Sequence, residues 1–183
     1  MIMRKIILPL LSSMLCATPI IAQDSVNRIV EPIPVASTDN LYRVSADRTP
    51  SGFSVPRFVS LKFNKVNGRT GPSRNHPIAW QYQRRGLPLL IVAETEMWRK
   101  VRDISGDEAW VRKPALSGSR TAMALRPTPI RSKADPRARE VARTEARALL
   151  RLQECREGWC EVRSENGLKG WARQDALWGA SRP

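Results

Sequence analysis

The chain has 183 residues and a formal net charge of +14, and its hydrophobic content of 42% argues against a wholly disordered protein. One histidine and three cysteines exclude a His-rich metal cage and a zinc site made of four cysteines. A Ser-His-Asp or Cys-His enzyme would have to use His76, which lies in a turn context beside Pro77. We therefore predict no catalytic residue, no cofactor and no metal site.

Residues 1–22 have the pattern of a secretory signal peptide. Arg4 and Lys5 precede an interrupted apolar run over 6–21, and the small residue Ala22 stands at the expected cleavage position. We predict an exported protein, periplasmic or secreted. Its mature charge falls by the two cations removed, from +14 to +12.

Two rival interpretations of this segment are a membrane anchor and a lipoprotein signal. Prolines and serines interrupt the run, whereas a spanning helix needs about 20 apolar residues. Cys16 would accept the lipid, but Leu15 stands where that site needs a small residue. We expect a protein that is not integral to the membrane.

We predict that the next segment, 23–56, is a flexible linker, because it is rich in proline and small polar residues and has no regular spacing of apolar residues. From Phe58 onward short apolar runs alternate with turns. The runs include 58–61, 87–92, 98–101 and 109–111, with turns such as Asn67-Gly68 and 105–107 between them. Short strands at this spacing predict an all-β fold.

An internal repeat divides the rest of the chain into two modules. Eight identities share one ungapped spacing of 61 residues: Trp98/Trp159, Val101/Val162, Arg102/Arg163, Gly106/Gly167, Trp110/Trp171, Arg112/Arg173, Leu116/Leu177 and Gly118/Gly179. We predict a first module over 57–119, a linker over 120–127 and a second module over 128–180.

The repeat also decides a local conflict. Residues 135–153 carry helix signals, with an aspartate before a proline and an alanine-rich continuation. Leu150 and Leu152, however, align with Leu89 and Ile91, which have a strand pattern. We predict a turn near Asp135 and a strand from about residue 148, because propensity is the weaker indicator.

Signal removal leaves two cysteines, Cys155 and Cys160. A close pair in an exported chain indicates a disulfide, and the four intervening residues suit a hairpin loop. A thioredoxin-like redox pair would need two intervening residues at a helix N-terminus. We predict a structural disulfide.

Several motifs resemble those of the bacterial SH3-like (SH3b) domains, in particular of the exported tandem SH3-domain proteins of Gram-negative bacteria. They are Asn67-Gly68-Arg69-Thr70-Gly71-Pro72-Ser73, His76-Pro77-Ile78, Gly86-Leu87-Pro88-Leu89, Trp98-Arg99-Lys100-Val101-Arg102-Asp103 and Ala109-Trp110-Val111, then Trp159-Cys160-Glu161-Val162, Gly170-Trp171-Ala172 and Leu177-Trp178-Gly179. The resemblance implies a five-stranded, partly open barrel per copy and a binding role near the cell wall.

Two residues depart from the family pattern. Gly68 stands where the family usually has an inward apolar residue, and it predicts either a small void or a looser first strand, at a cost of about 1 kcal/mol. Ala109 replaces the usual glycine before Trp110.

Trp80 and Tyr82 form the main candidate ligand surface, together with Arg84 and Arg85. On a strand, alternate positions place both rings on one face. The 61-residue shift lands on Val141 and Arg143, so the pair has no aromatic counterpart. The rings either bind a peptide or glycan or pack between the two barrels.

The four repeated tryptophans are also candidates. We predict that Trp110 and Trp171 belong to the barrel core or to its rim. Trp98 and Trp159 flank a turn, so each could lie either in the core or at the surface. We therefore include Trp98 among the candidate ligand-binding residues.

Basic residues dominate the middle of the chain, where 109–134 contains no acid. This charge predicts attraction to an anionic polymer or lipid surface, and because an exported protein does not meet nucleic acid we predict no nucleic-acid partner. We expect a non-enzymatic binding module of the cell envelope that binds peptidoglycan or its stem peptides. The alternative is an adaptor that docks on an envelope enzyme or receptor through Trp80 and Tyr82.

Overall fold

The computed structural model describes residues 41–181, so the predicted signal peptide and the linker residues 23–40 lie outside the described part. The fold is all-β and contains two antiparallel sheets of seven strands each, one per module. The predicted pair of tandem barrels is therefore confirmed. Within 41–181 no helix is long and apolar enough to cross a membrane.

Both barrels use the same strand order. The first contains β1 (Arg57–Leu61), β2 (Val66–Arg69), β3 (Ile78–Tyr82), β4 (Pro88–Glu94), β5 (Trp98–Arg102), β6 (Glu108–Arg112) and β7 (Leu116–Ser117). The second contains β8 (Thr121–Ala124), β9 (Thr128–Arg131), β10 (Glu140–Thr144), β11 (Leu149–Arg156), β12 (Trp159–Arg163), β13 (Lys169–Arg173) and β14 (Leu177–Trp178). The orders, β3-β2-β6-β5-β4-β1-β7 and β10-β9-β13-β12-β11-β8-β14, correspond strand by strand.

Each barrel has seven strands where the resemblance implies five. The segment after β1 folds into a hairpin of its own, in which β2 pairs with β3. A two-residue closing strand, β7, pairs with the far edge of β1. Three-residue 3-10 turns, Lys113–Ala115 and Gln174–Ala176, lead into the closing strands.

The predicted linker over 120–127 is wrong, because it contains β8, the first strand of the second barrel. Ala122 and Ala124 pack into the core of the second barrel, whereas Met123 faces a cluster between the barrels. A strand buried on both faces shows no polar alternation, which is why the sequence pattern missed it.

The predicted flexible linker is also wrong over residues 41–56, which pack on the first barrel. Val44 and Val55 form an antiparallel bridge, and Val55 is buried in the first core. The backbone N–H of Ser51 donates to Glu94 Oε1 at 3.0 Å. These contacts make the segment a structural extension of the barrel.

Strand register changes the repeat spacing locally. Arg69 pairs with Trp110, and Arg131 pairs with Trp171, so the offset in these strands is 62 residues. The counterparts of Trp80 and Tyr82 are therefore Ala142 and Thr144, not the Val141 and Arg143 that a constant shift indicates.

The two barrels pack against each other. Their shared apolar cluster is formed by Leu90, Met123, Leu149 and Trp178. The ring of Phe58 meets Trp178 edge to face, with centroids 5.1 Å apart. Beside this cluster the buried hydroxyls of Ser60 and Thr121 lie 2.7 Å apart.

Candidate functional site

Trp80 and Tyr82 do not form an exposed pair, and they do not pack between the barrels. Tyr82 is 6% exposed in the core of the first barrel, and Trp80 packs on the same core. The rings meet edge to face at 6.0 Å. Both predictions for this pair are wrong because Gly68, opposite Trp80 on β2, leaves room for the rings inside the barrel. Burial raises the pKa of the Tyr82 phenol.

The burial of the four repeated tryptophans differs from the order that the sequence indicates. Trp98 and Trp159 are buried, whereas Trp110 and Trp171 are half-buried. The reason is the period of two along β6 and β13: their inward positions are held by small neighbours of the tryptophans, such as Ala109. The Trp171 ring lies instead under the Arg156 guanidinium, 4.8 Å from its centroid.

Trp98 contributes to a small basic cavity, which we call the barrel-1 pocket. Its volume is about 230 Å³. It is smaller than the cleft between the two barrels, which measures about 400 Å³.

 The pocket is lined by Phe63, Lys65, Val66, Asn67, Arg69, Arg74, Trp98, Arg112 and Ala115. Four of these residues are cations, and none is an acid.

Two strands bring two of these cations to the pocket. Arg112 at the end of β6 lies directly opposite Trp98 at the start of β5. Arg69 ends β2 and donates from Nη1 to the His76 carbonyl oxygen at 2.6 Å. Phe63, 51% exposed, stands in the connection after β1. Within residues 41–181, none of the four pocket cations has an ion pair.

The second barrel has an equivalent tryptophan–arginine pair, but there an acid neutralises the charge of the arginine. Trp159 lies opposite Arg173, whose guanidinium sits over the indole ring at 5.5 Å from the centroid. Arg173 also pairs with Asp175 at 3.4 Å, and Arg126 lies 3.8 Å from the same carboxylate. Pro114 occupies the place of Asp175 in the first barrel, 61 residues earlier. The first barrel therefore lacks this neutralising acid.

Arg84 and Arg85 line a separate site, the interbarrel cleft of about 400 Å³. Arg84 Nη1 donates to the carbonyl oxygen of Arg147 at 3.0 Å and so connects the two barrels. The five predicted ligand candidates are thus distributed over three places: the first core, the barrel-1 pocket and the interbarrel cleft. The sequence missed most of the pocket cations because only register brings them beside Trp98.

His76 lies in the turn between β2 and β3, where its Nδ1 is 2.8 Å from Ser73 Oγ. Its ring packs so closely on Gly71 that a Cβ there would lie 2.3 Å from it. No carboxylate hydrogen-bonds His76 in the described part of the chain. Nor does that part contain a group of three or more His, Cys, Asp or Glu side chains placed to hold a metal ion.

The predicted disulfide is present between Cys155 and Cys160. The two residues lie opposite each other on β11 and β12. The turn between these strands contains Glu157 and Gly158, both with positive φ. The bond therefore closes a local hairpin.

Comparison with known proteins identifies the class. The model of the bacterial SH3 domain family matches residues 62–118 and again 126–179, which together are more than half of the chain. The chain therefore belongs to the bacterial SH3 domain family and carries two such domains in tandem. This membership suggests a binding module related to the cell wall.

Two solved structures from Trichomonas vaginalis are similar to this chain, NlpC2 and NlpC1. NlpC2 is 16% identical with a TM-score of 0.32, and the match covers 67% of this chain and 48% of NlpC2. NlpC1 is 15% identical with a TM-score of 0.31, and the match covers 78% of this chain and 48% of NlpC1. This chain thus spans about half the length of each. No curated protein matches it.

Proposed function

We propose that the protein is an exported, non-enzymatic binding module of the cell envelope whose barrel-1 pocket binds the carboxylate-bearing stem peptides of peptidoglycan. The observation that carries the ligand class is the uncompensated charge of the pocket, where four cations and no acid surround two aromatic side chains. Guanidinium groups pair with carboxylates through two parallel hydrogen bonds, and aromatic rings pack on aliphatic side chains.

Export and the envelope location rest on the signal-peptide pattern of residues 1–22. Membership of the bacterial SH3 family supports the choice of a cell-wall ligand. The difference between the barrels supports the choice of site, because only the first barrel leaves its arginine at this position without an acid.

The test is co-sedimentation of the mature protein with isolated cell-wall sacculi. We expect binding at low salt that weakens as salt screens the charges. Arg112→Gln should lower the affinity about three- to tenfold, which corresponds to roughly 0.7–1.4 kcal/mol. Arg173→Gln is the matched control, because it makes the same change at the equivalent place in the second barrel and should leave binding unchanged.

Two results would contradict the proposal. One is a failure to co-sediment at low salt, and the other is an equal loss of binding in Arg112→Gln and Arg173→Gln. The non-enzymatic part has its own test: the protein should release no soluble fragments from the sacculi. A hydrolytic activity that disappears in His76→Ala would overturn this part.

The structure does not support the docking surface that the adaptor hypothesis requires. It requires Trp80 and Tyr82 to contact a partner protein, but Tyr82 is buried in the first core. No other observation on the described residues favours it over the peptide site.

A further inference from the structure

Three strands of the second barrel place three cations side by side. Arg151 on β11 pairs in register with Arg163 on β12, and Arg163 pairs with Lys169 on β13. Residues that pair directly in an antiparallel sheet project from the same face, with Cα atoms roughly 4.5–5.5 Å apart. We call these three residues the cation row.

This arrangement costs stability. Like charges directly opposite each other on neighbouring strands are destabilising. None of the three cations has an ion pair with another residue of 41–181. A bound anion would supply the missing negative charge.

At the equivalent positions of the first barrel, an acid balances the positive charge. The equivalent residues are Leu90, Arg102 and Glu108, which pair in register on β4, β5 and β6. Glu108 lies 2.7 Å from Arg102 and 2.6 Å from Lys100. Burial alone would raise the pKa of Glu108, but these two cations outweigh it and hold the pKa below its usual value.

The cation row leads into the interbarrel cleft. Arg151 and Arg163 line the cleft from the second barrel. Lys62, Arg84 and Arg85 line it from the first barrel, and Glu165 is the one acid among the described residues that line it. The site therefore requires both barrels.

Contacts between the barrels hold the walls of the cleft in place. Thr121 Oγ1 donates to the Gly86 carbonyl oxygen at 2.6 Å and lies 2.7 Å from Ser60 Oγ. Phe58 packs on Trp178 behind them. A cleft whose walls are fixed before binding needs less ordering when a ligand binds.

We propose that the interbarrel cleft and the cation row form a second binding site, separate from the barrel-1 pocket, for closely spaced phosphate groups. Phosphate groups carry negative charge on several acceptor oxygens, and these form charge-assisted hydrogen bonds with neighbouring guanidinium groups. Among the described residues that line the cleft none is aromatic, so the site offers charge rather than stacking. The phosphates belong either to a soluble polyphosphate or to lipid headgroups, and the experiment separates these sources.

The first measurement is calorimetric titration of the full mature chain with inorganic tripolyphosphate. Binding should weaken with salt, and Arg151→Gln combined with Arg163→Gln should lower the affinity at least about tenfold. The control combines Arg137→Gln with Arg139→Gln, which removes the same charge from an exposed loop of the same barrel. Citrate should bind more weakly than tripolyphosphate.

Lys169→Glu distinguishes lost binding from lost folding. This substitution recreates the acid of the first barrel beside Arg163, so it should raise the free energy of unfolding while it lowers the affinity for tripolyphosphate. The loss of tripolyphosphate affinity caused by the Arg151/Arg163 substitutions should be the same with and without Arg112→Gln, so failure of this proposal is distinguishable from failure of the peptide site.

The second measurement is sedimentation with vesicles of phosphatidylcholine, with and without phosphatidylglycerol. Binding to the anionic vesicles that is lost in the Arg151/Arg163 variant identifies lipid headgroups as the source, and binding to tripolyphosphate alone identifies a soluble ligand. The proposal is overturned if neither probe binds, if the row variant binds like its control, or if citrate binds the Arg112→Gln variant as tightly as tripolyphosphate does.

Discussion

Gly68 and Ala109 are neighbours inside the first barrel, and the equivalent positions of the second barrel hold Ile130 and Gly170. A Cβ added to Gly68 would lie 2.8 Å from the Ala109 Cβ, and one added to Gly170 would lie 2.6 Å from Ile130 Cγ2. Each barrel therefore has room for one larger residue at this contact. The two departures from the family pattern compensate each other, and the void expected at Gly68 is filled by Ala109 and the Tyr82 ring.

Gly68→Ala should lower the free energy of unfolding by about 1–3 kcal/mol, because the added methyl group overpacks the core. Ala109→Gly introduced with it should restore part of the loss, since it removes the closest contact. Urea unfolding of the two single variants and the double variant measures this coupling.

Gly118→Ala is the control for this experiment, because a Cβ at Gly118 meets no atom within 4 Å. A Gly68→Ala variant as stable as the wild-type protein would contradict the overpacking argument. Additive effects of Gly68→Ala and Ala109→Gly would contradict the coupling.

At the scale of elements, Glu94 joins three parts of the first barrel. Its side chain, 2% exposed, lies 3.0 Å from Arg99 Nε on β5 and also pairs with Arg57 on β1. The Ser51 backbone adds a hydrogen bond from the N-terminal extension. Burial alone would raise the pKa of Glu94, but the hydrogen bonds from Ser51 and Arg57 outweigh it and hold the pKa below its usual value.

Glu94→Gln should destabilise the protein by about 2–4 kcal/mol at pH 7, because it leaves buried cations without their carboxylate. A lowered folded pKa means that the charged form contributes stability at neutral pH and loses it as the pH falls through the folded pKa. The difference between wild-type and variant should therefore shrink below the ordinary carboxyl pKa of 4.5. Denaturant unfolding over a pH series measures it.

Glu96→Gln is the matched control, since Glu96 is exposed in the turn after β4. We expect little change in stability from this variant at any pH. A constant difference between Glu94→Gln and wild-type protein from neutral to acidic pH would contradict the assignment to Glu94 ionisation.

At the scale of the whole molecule, the two barrels are similar in fold but differ where they meet. Trp178 and Ser117 occupy equivalent places on the closing strands, 61 residues apart. The second barrel supplies the large apolar side chain to the interface, and the first supplies a serine that lines the interbarrel cleft. The barrels are therefore not interchangeable, and their packing leaves one side open as a cleft.

Trp178→Ala should cost about 3–5 kcal/mol, as expected for removal of a buried tryptophan side chain. Because this residue lies between the barrels, we also expect the variant to unfold in two thermal transitions where the wild-type protein shows one. Differential scanning calorimetry measures both effects.

Tyr42→Ala serves as the control, because Tyr42 is 78% exposed. It should keep a single transition at the wild-type temperature. A Trp178→Ala variant with one unshifted transition would show that the interface contributes nothing to cooperative unfolding.

The sequence alone was sufficient for the β architecture, the repeat and the disulfide. These features depend on local signals: alternating apolar residues, turn residues, repeated tryptophans and two closely spaced cysteines. It also indicated the strand near residue 148, where the repeat outweighed helix propensity and β11 begins at Leu149.

Tertiary structure decided where the candidate side chains lie. Tyr82 is buried because Gly68 on the neighbouring strand leaves it space, and the cation row exists because register aligns residues on three strands. The strand β8 and the extension over 41–56 could not be predicted from the sequence, because their structure depends on packing against distant parts of the barrels. The sequence pattern specifies which face of a strand is apolar. It does not specify what that face packs against or which charged residues become neighbours, because both depend on strand pairing between residues that are far apart in the sequence.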